Sequence, residues 1–62
     1  MMQTVYIVIV DFPSTGETCI YGVYHNYDKA RQEENKVYSI MTKLLPSMEI
    51  HIRVVGPIEV EE

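Results

Sequence analysis

One stretch of this chain, from Tyr27 to Leu45, can form an amphipathic helix, and it constrains everything around it. Set at about 100° per residue from Ala30, the residues Tyr27, Ala30, Val37, Tyr38, Ile40, Met41, Leu44 and Leu45 fall on one side of the cylinder. Asp28, Arg31, Gln32, Asn35, Lys36, Ser39, Thr42 and Lys43 take the other side. A helix divided in this way has to bury its apolar stripe against another element, and the flanking segments have the period of strands. Asn26 suits the N-cap, because its side-chain oxygen can accept a free N–H of the first turn. Asp28 complements the positive end of the helix dipole and Lys43 the negative end. Pro46 cannot continue the hydrogen-bond ladder and pushes its predecessor out of helical geometry, so the helix is expected over 27–45. Two carboxylates interrupt the stripe: Glu34 near its middle and Glu33 on its margin. A buried, unpaired carboxylate is costly. Glu34 is therefore expected to reach water or a basic partner such as Arg53, the other reading being a polar contact for a ligand or partner protein.

Thr4 to Val10 is rich in β-branched and aromatic residues and is short for a helix, so it reads as a first strand over 4–10. Val5, Ile7 and Ile9 point one way and Tyr6, Val8 and Val10 the other, which suits a central strand covered on both sides. Asp11-Phe12-Pro13-Ser14-Thr15-Gly16 is turn chemistry, and a second strand over 17–24 follows, giving an antiparallel hairpin. Gly22 marks either a close approach of the helix or a bulge. Ile20, Gly22 and Tyr24 are assigned to the helix side and Cys19, Tyr21 and Val23 to the opposite side; a slip of one residue would exchange the two sets. A third strand is expected over 48–55, with Gly56-Pro57 interrupting it and 58–62 a short strand or tail. The fold class is α+β: a three-stranded, mainly antiparallel ββαβ sheet in the order 2-1-3, with one long helix on one face. The other face is left uncovered, with Tyr6, Val8, Cys19, Tyr21, Val23, His51 and Arg53 as its candidate residues.

Sixty-two residues make one domain, and a chain of this size buries only about 60% of its unfolded surface. Small chains compensate with disulfides, metals or association. Cys19 is the single cysteine, which excludes an intrachain disulfide. His25, His51 and Cys19 show no metal-ligand spacing, so neither metal nor cofactor is expected. Association remains, and a homodimer is the simplest form of it. Met1-Met2-Gln3 lacks the basic start of a signal peptide, and the apolar run over 5–10 is too short to cross a bilayer, so the expectation is a cytoplasmic protein without membrane attachment. Nine acids against five bases, a net charge of −4, disfavour nucleic acid as a partner.

No nucleophile, base and orienting group assemble in the sequence, so an enzyme is not expected. Cys19 on a strand reads as a small hydrophobe, and His25 as a solvated corner residue. An exposed apolar face with tyrosine and arginine reads instead as an interface. The expected protein-binding residues are Tyr6, Val8, Tyr21, Val23, His51 and Arg53. An alternative is a small-ligand or nucleotide site at the start of the helix, formed by Tyr24, His25, Tyr27 and Glu34.

Val5-Tyr6-Ile7-Val8, followed by Tyr21-Gly22-Val23-Tyr24-His25-Asn26-Tyr27-Asp28-Lys29-Ala30 and a final alternating strand with an acidic end, resembles small ββαβ proteins common in bacteriophage genomes. The likeness covers most of the chain and is one of fold rather than of chemistry. It implies a phage-encoded, non-enzymatic protein that binds and inhibits a host or antiviral-defence protein in the host cytoplasm.

Overall fold

A computed structural model describes residues 2–61. The elements run β1 (Met2–Phe12), β2 (Glu17–Tyr24), α1 (Tyr27–Leu44) and β3 (His51–Glu61). The sheet has the order β2-β1-β3, and β1 pairs antiparallel with both neighbours. The expected ββαβ architecture and strand order are therefore those of the structure.

Local chemistry accounts for the element ends. Asn26 is the N-cap in extended conformation, its Oδ1 accepting from the backbone N–H of Asp28 at 2.8 Å and of Lys29 at 3.2 Å. This satisfies two of the free donors of the first turn. Pro46 follows the C-cap Leu45 directly. Strand boundaries differ more. β1 extends to Phe12, β3 begins at His51 rather than at 48, and β3 continues through the cis Gly56-Pro57 pair instead of breaking there. It does so by carrying an extra residue: Ile58 pairs with Val5 and Val55 with Ile7, leaving Gly56 and Pro57 opposite Tyr6. The expected tail over 58–62 is thus part of β3 as far as Glu61, and Glu62 lies outside the described residues.

A second bulge lies in β2. Val8 pairs with Gly22 but Ile9 with Ile20, so Tyr21 is the surplus residue. Because side chains alternate along a strand, one extra residue exchanges the faces on either side of it. Gly22 and Tyr24 share the side of Val8 and Tyr6, while Ile20 joins Ile9 on the other side and Cys19 joins Val10. The sequence-based assignment therefore holds for Gly22, Val23 and Tyr24 and is reversed for Ile20 and Cys19.

The core sits between β1 and α1. Val8, Val10, Ala30 and Val37 are buried there, with Val8 completely inaccessible. Tyr6 lies on the same side, its ring 5.4 Å from that of Tyr27 in an edge-to-face arrangement. Tyr6 and Val8 thus belong to the helix side and not to the open face, correcting their place among the expected binding residues. Strand alternation alone could not choose, because both faces of β1 are apolar. Gly22 lies beneath the Tyr24 ring: a Cβ there would stand 2.5 Å from the phenolic oxygen. The glycine lets that ring fold back along its own strand toward the helix.

The helix stripe is narrower than its apolar composition. Ala30 and Val37 are buried and Met41 is half-buried, whereas Tyr27, Tyr38, Ile40, Leu44 and Leu45 are exposed. The apolar helix residues that are buried or half-buried lie within about 20° of the stripe's centre, while Tyr27 touches Tyr6 from its margin, since three strands spaced about 4.8 Å apart offer a narrow platform.

Candidate functional site

The face of the sheet opposite α1 carries no covering element among the described residues. Its composition follows from register. Ile20, Ile9 and Arg53 align across the three strands, as do Val23, Ile7 and Val55, and Val5 pairs with Ile58 beyond them. The result is a contiguous aliphatic surface. Ile20 is 66% exposed and Val23 55%, values unusual for adjacent branched aliphatics on one sheet face. Tyr21, the bulged residue, is about half exposed beside them. Ile7 and Ile9 in the central strand are half-buried and Val5 is buried.

One end of this surface is polar. Asp11 pairs with Thr18 on one side and His51 on the other. Thr18 Oγ1 donates to Asp11 Oδ1 at 2.8 Å, and Arg53 Nε donates to Asp11 Oδ2 at 2.9 Å. The hydrogen bond from Arg53, followed by that from Thr18, holds the Asp11 carboxyl below the usual carboxylate range. His51 Nε2 lies 3.0 Å from Glu49 Oε1 in the loop before β3. Arg53 and His51 therefore occupy the face expected of them, with Arg53 committed to Asp11.

That commitment has a pH signature. A carboxyl with a depressed folded-state pKa contributes stability above its unfolded value, near 3.9, and that contribution is lost as pH falls through the folded value. Asp11→Asn is expected to flatten the acid limb of stability against pH, read from urea unfolding midpoints between neutral pH and pH 3. An acid limb identical to that of the parent chain would remove Asp11 from the account.

Two residues of the alternative ligand site, Tyr24 and Tyr27, both adjoin Tyr6, the first as its partner across the strands. Tyr27 meets Tyr6, and Tyr24 covers Gly22. Loss of solvent, with the carboxylate of Glu33 adding to it, pushes the Tyr24 phenol above its ordinary pKa. His25 is exposed at the corner. Glu34 is largely shielded and pairs with Arg31 at 3.2 Å, not with Arg53; Glu33 pairs with Lys29 at 3.2 Å. The helix thus neutralises both stripe carboxylates from its own adjacent turns. No cavity occurs among the described residues, and no cluster of His, Cys, Asp and Glu there could hold a metal ion. No described helix is long and apolar enough to cross a membrane.

Neither a family model, nor a curated protein, nor a solved structure matches this chain.

Sequence reasoning missed Ile7, Ile9, Ile20 and Val55 as members of the open face, along with the Asp11–Thr18–Arg53 group. The alternation of β1 and β3 contained the signal for Ile7, Ile9 and Val55. Ile20 was hidden by the bulge at Tyr21.

Proposed function

We propose that this chain is a non-enzymatic protein-interaction module whose binding surface is the open sheet face, and that it acts by occupying a surface rather than by chemistry. The observation that carries the reading is the contiguous aliphatic surface from the exposed Ile20 and Val23 across the half-buried Ile7 and Ile9 to Val55. Surfaces of this kind on small proteins are interaction sites. The bordering Arg53 and the half-exposed Tyr21 are of the residue types that anchor interfaces. The likeness to small phage ββαβ proteins supports a finer version: an inhibitor of a host or antiviral-defence protein, working in the host cytoplasm.

The test is quantitative affinity capture with the parent chain and with an Ile20→Lys/Val23→Lys variant. Both positions are exposed, so the fold should persist, as circular dichroism would verify. The expected result is that proteins retained by the parent are lost from the variant, while thermal-shift screening against nucleotides moves neither melting temperature. Equal retention by both chains would remove the open face from the reading, and a nucleotide-dependent rise in Tm would favour a small-ligand site instead.

A further inference from the structure

We infer that the occupant of the open sheet face is a second copy of this chain, packed face to face about a two-fold axis to give a four-layer α/β/β/α dimer; the inference rests on the reading of that face as a protein-binding surface, and makes the dimer, not the single chain, the unit that meets any further partner. Three observations carry it.

The first is area. The folded chain exposes 4462 Å², above the roughly 4,100 Å² of a compact monomer of its mass, 7.2 kDa. Two separate copies expose about 8,900 Å², whereas a compact protein of twice the mass exposes about 6,800 Å². The difference, about 2,100 Å², is the size of a stable protein interface, and about 700 Å² of it is the excess of these two copies over compact monomers of their mass. With extents of 44 × 22 × 12 Å, the molecule is a slab whose broad side can supply roughly half of that difference from each copy. Its radius of gyration, 12.8 Å, also exceeds the roughly 10.6 Å of a compact chain of this length. The protomer is thus shaped as one half of a larger object.

The second is charge. The chain carries a net charge of −4, so two copies repel unless they meet through a neutral surface. The apolar part of the open face is such a surface. Its register places Asp11, Arg53 and His51 at one end: Asp11 and Arg53 neutralise each other at 2.9 Å, and His51 stands 3.0 Å from Glu49. Glu17, Glu59 and Glu61 fall on the opposite side of the sheet by the same register. The outer side of the helix, by contrast, presents Arg31, Lys36 and Lys43 among its polar residues. A neutral aliphatic surface best matches another of the same kind.

The third is the core. β1 is apolar on both faces, yet α1 covers only one of them, and the buried hydrophobic side chains among the described residues are Val5, Val8, Val10, Ala30 and Val37. In the single chain the uncovered half leaves Ile20 66% and Val23 55% exposed, and a second copy would cover both. Two such faces stack as sheets do in sandwiches, about 10 Å apart with strands nearly aligned.

Light scattering across a dilution series tests this with three chains: the parent, Ile20→Lys/Val23→Lys, and Ile40→Lys/Leu44→Lys on the exposed part of the helix. The expected result is a mass of two chains for the parent and for the helix variant, and a halved mass for the sheet variant with its helical signal retained. If the sheet variant also loses its helical signal, the single substitution Val23→Thr is used instead, with a shift of the dissociation midpoint to higher concentration expected. A parent chain that stays at one chain's mass throughout overturns the second-copy inference, while the reading of the face as a surface for a different protein stands or falls with the capture experiment. A dimer that survives the sheet variant but dissociates in the helix variant overturns the inference by placing the contact on α1. Full retention of captured proteins by the sheet variant would then overturn the functional reading as well.

Discussion

Replacing Gly56 by alanine is expected to lower the unfolding free energy by about 2–4 kcal/mol, combining backbone strain with overpacking. Gly56 sits at φ +154°, where L side chains rarely go. A Cβ built there would stand 2.9 Å from the Val5 carbonyl oxygen, 3.2 Å from the Tyr6 Cα and 2.7 Å from Cδ1 of its ring. Two of these neighbours are backbone atoms of the central strand and cannot turn aside. Relief would require β3 to move away from β1 where it crosses from Val55 to Ile58, and that crossing keeps Ile58 in register with Val5. A domain of this length has a total stability of roughly 3–9 kcal/mol. The substitution should therefore leave a visible unfolded fraction. Urea unfolding at fixed protein concentration measures it, and an unchanged midpoint would show that the bulge tolerates a side chain.

The second large effect is expected at Val8. It is the largest fully inaccessible side chain among the described core residues, 0% exposed, paired with Gly22 on one neighbour and Val54 on the other. Val8→Ala should cost about 2–3 kcal/mol, the transfer term of the lost methyl groups plus that of the cavity they leave. In a chain of this size that is a fall in Tm of about 8–24 °C. The measurement also discriminates between the faces of β1. A Val8 on the open face would lose little on truncation, so a fall of only a degree or two would contradict its burial under α1.

Much of the architecture was legible in the sequence because it is written in local terms. The helix, the Asn26 cap and the Pro46 stop depend on residues a turn apart, and the structure has each of them where the spacing put it, with the centre of the apolar stripe, Ala30 and Val37, buried. The doubly apolar Thr4–Val10 run demanded the centre of the sheet, and β1 is there. The site was less legible. Tyr6 and Val8 were expected on the open face and lie under the helix; Tyr21, Val23, His51 and Arg53 are exposed. Arg53 was offered to Glu34 and instead holds Asp11, a residue that had been read only as a turn former. Glu34 found its partner three residues back, in Arg31.

By itself the sequence determined the number, type and order of the elements, and with them a sheet having more apolar surface than one helix can cover. Those properties follow from hydrophobic period, capping and the steric limits of proline, which act over a few residues. Only the tertiary structure decided which side of β1 the helix takes, because a strand apolar on both faces has no local reason to prefer either. It also decided where Ile20 and Cys19 point, since one surplus residue at Tyr21 reverses the alternation on one side of it. A bulge exists only in the pairing of two strands and has no counterpart in the period of one. The surface assembled from Ile20, Val23, Ile7, Ile9 and Val55 is the product of that pairing.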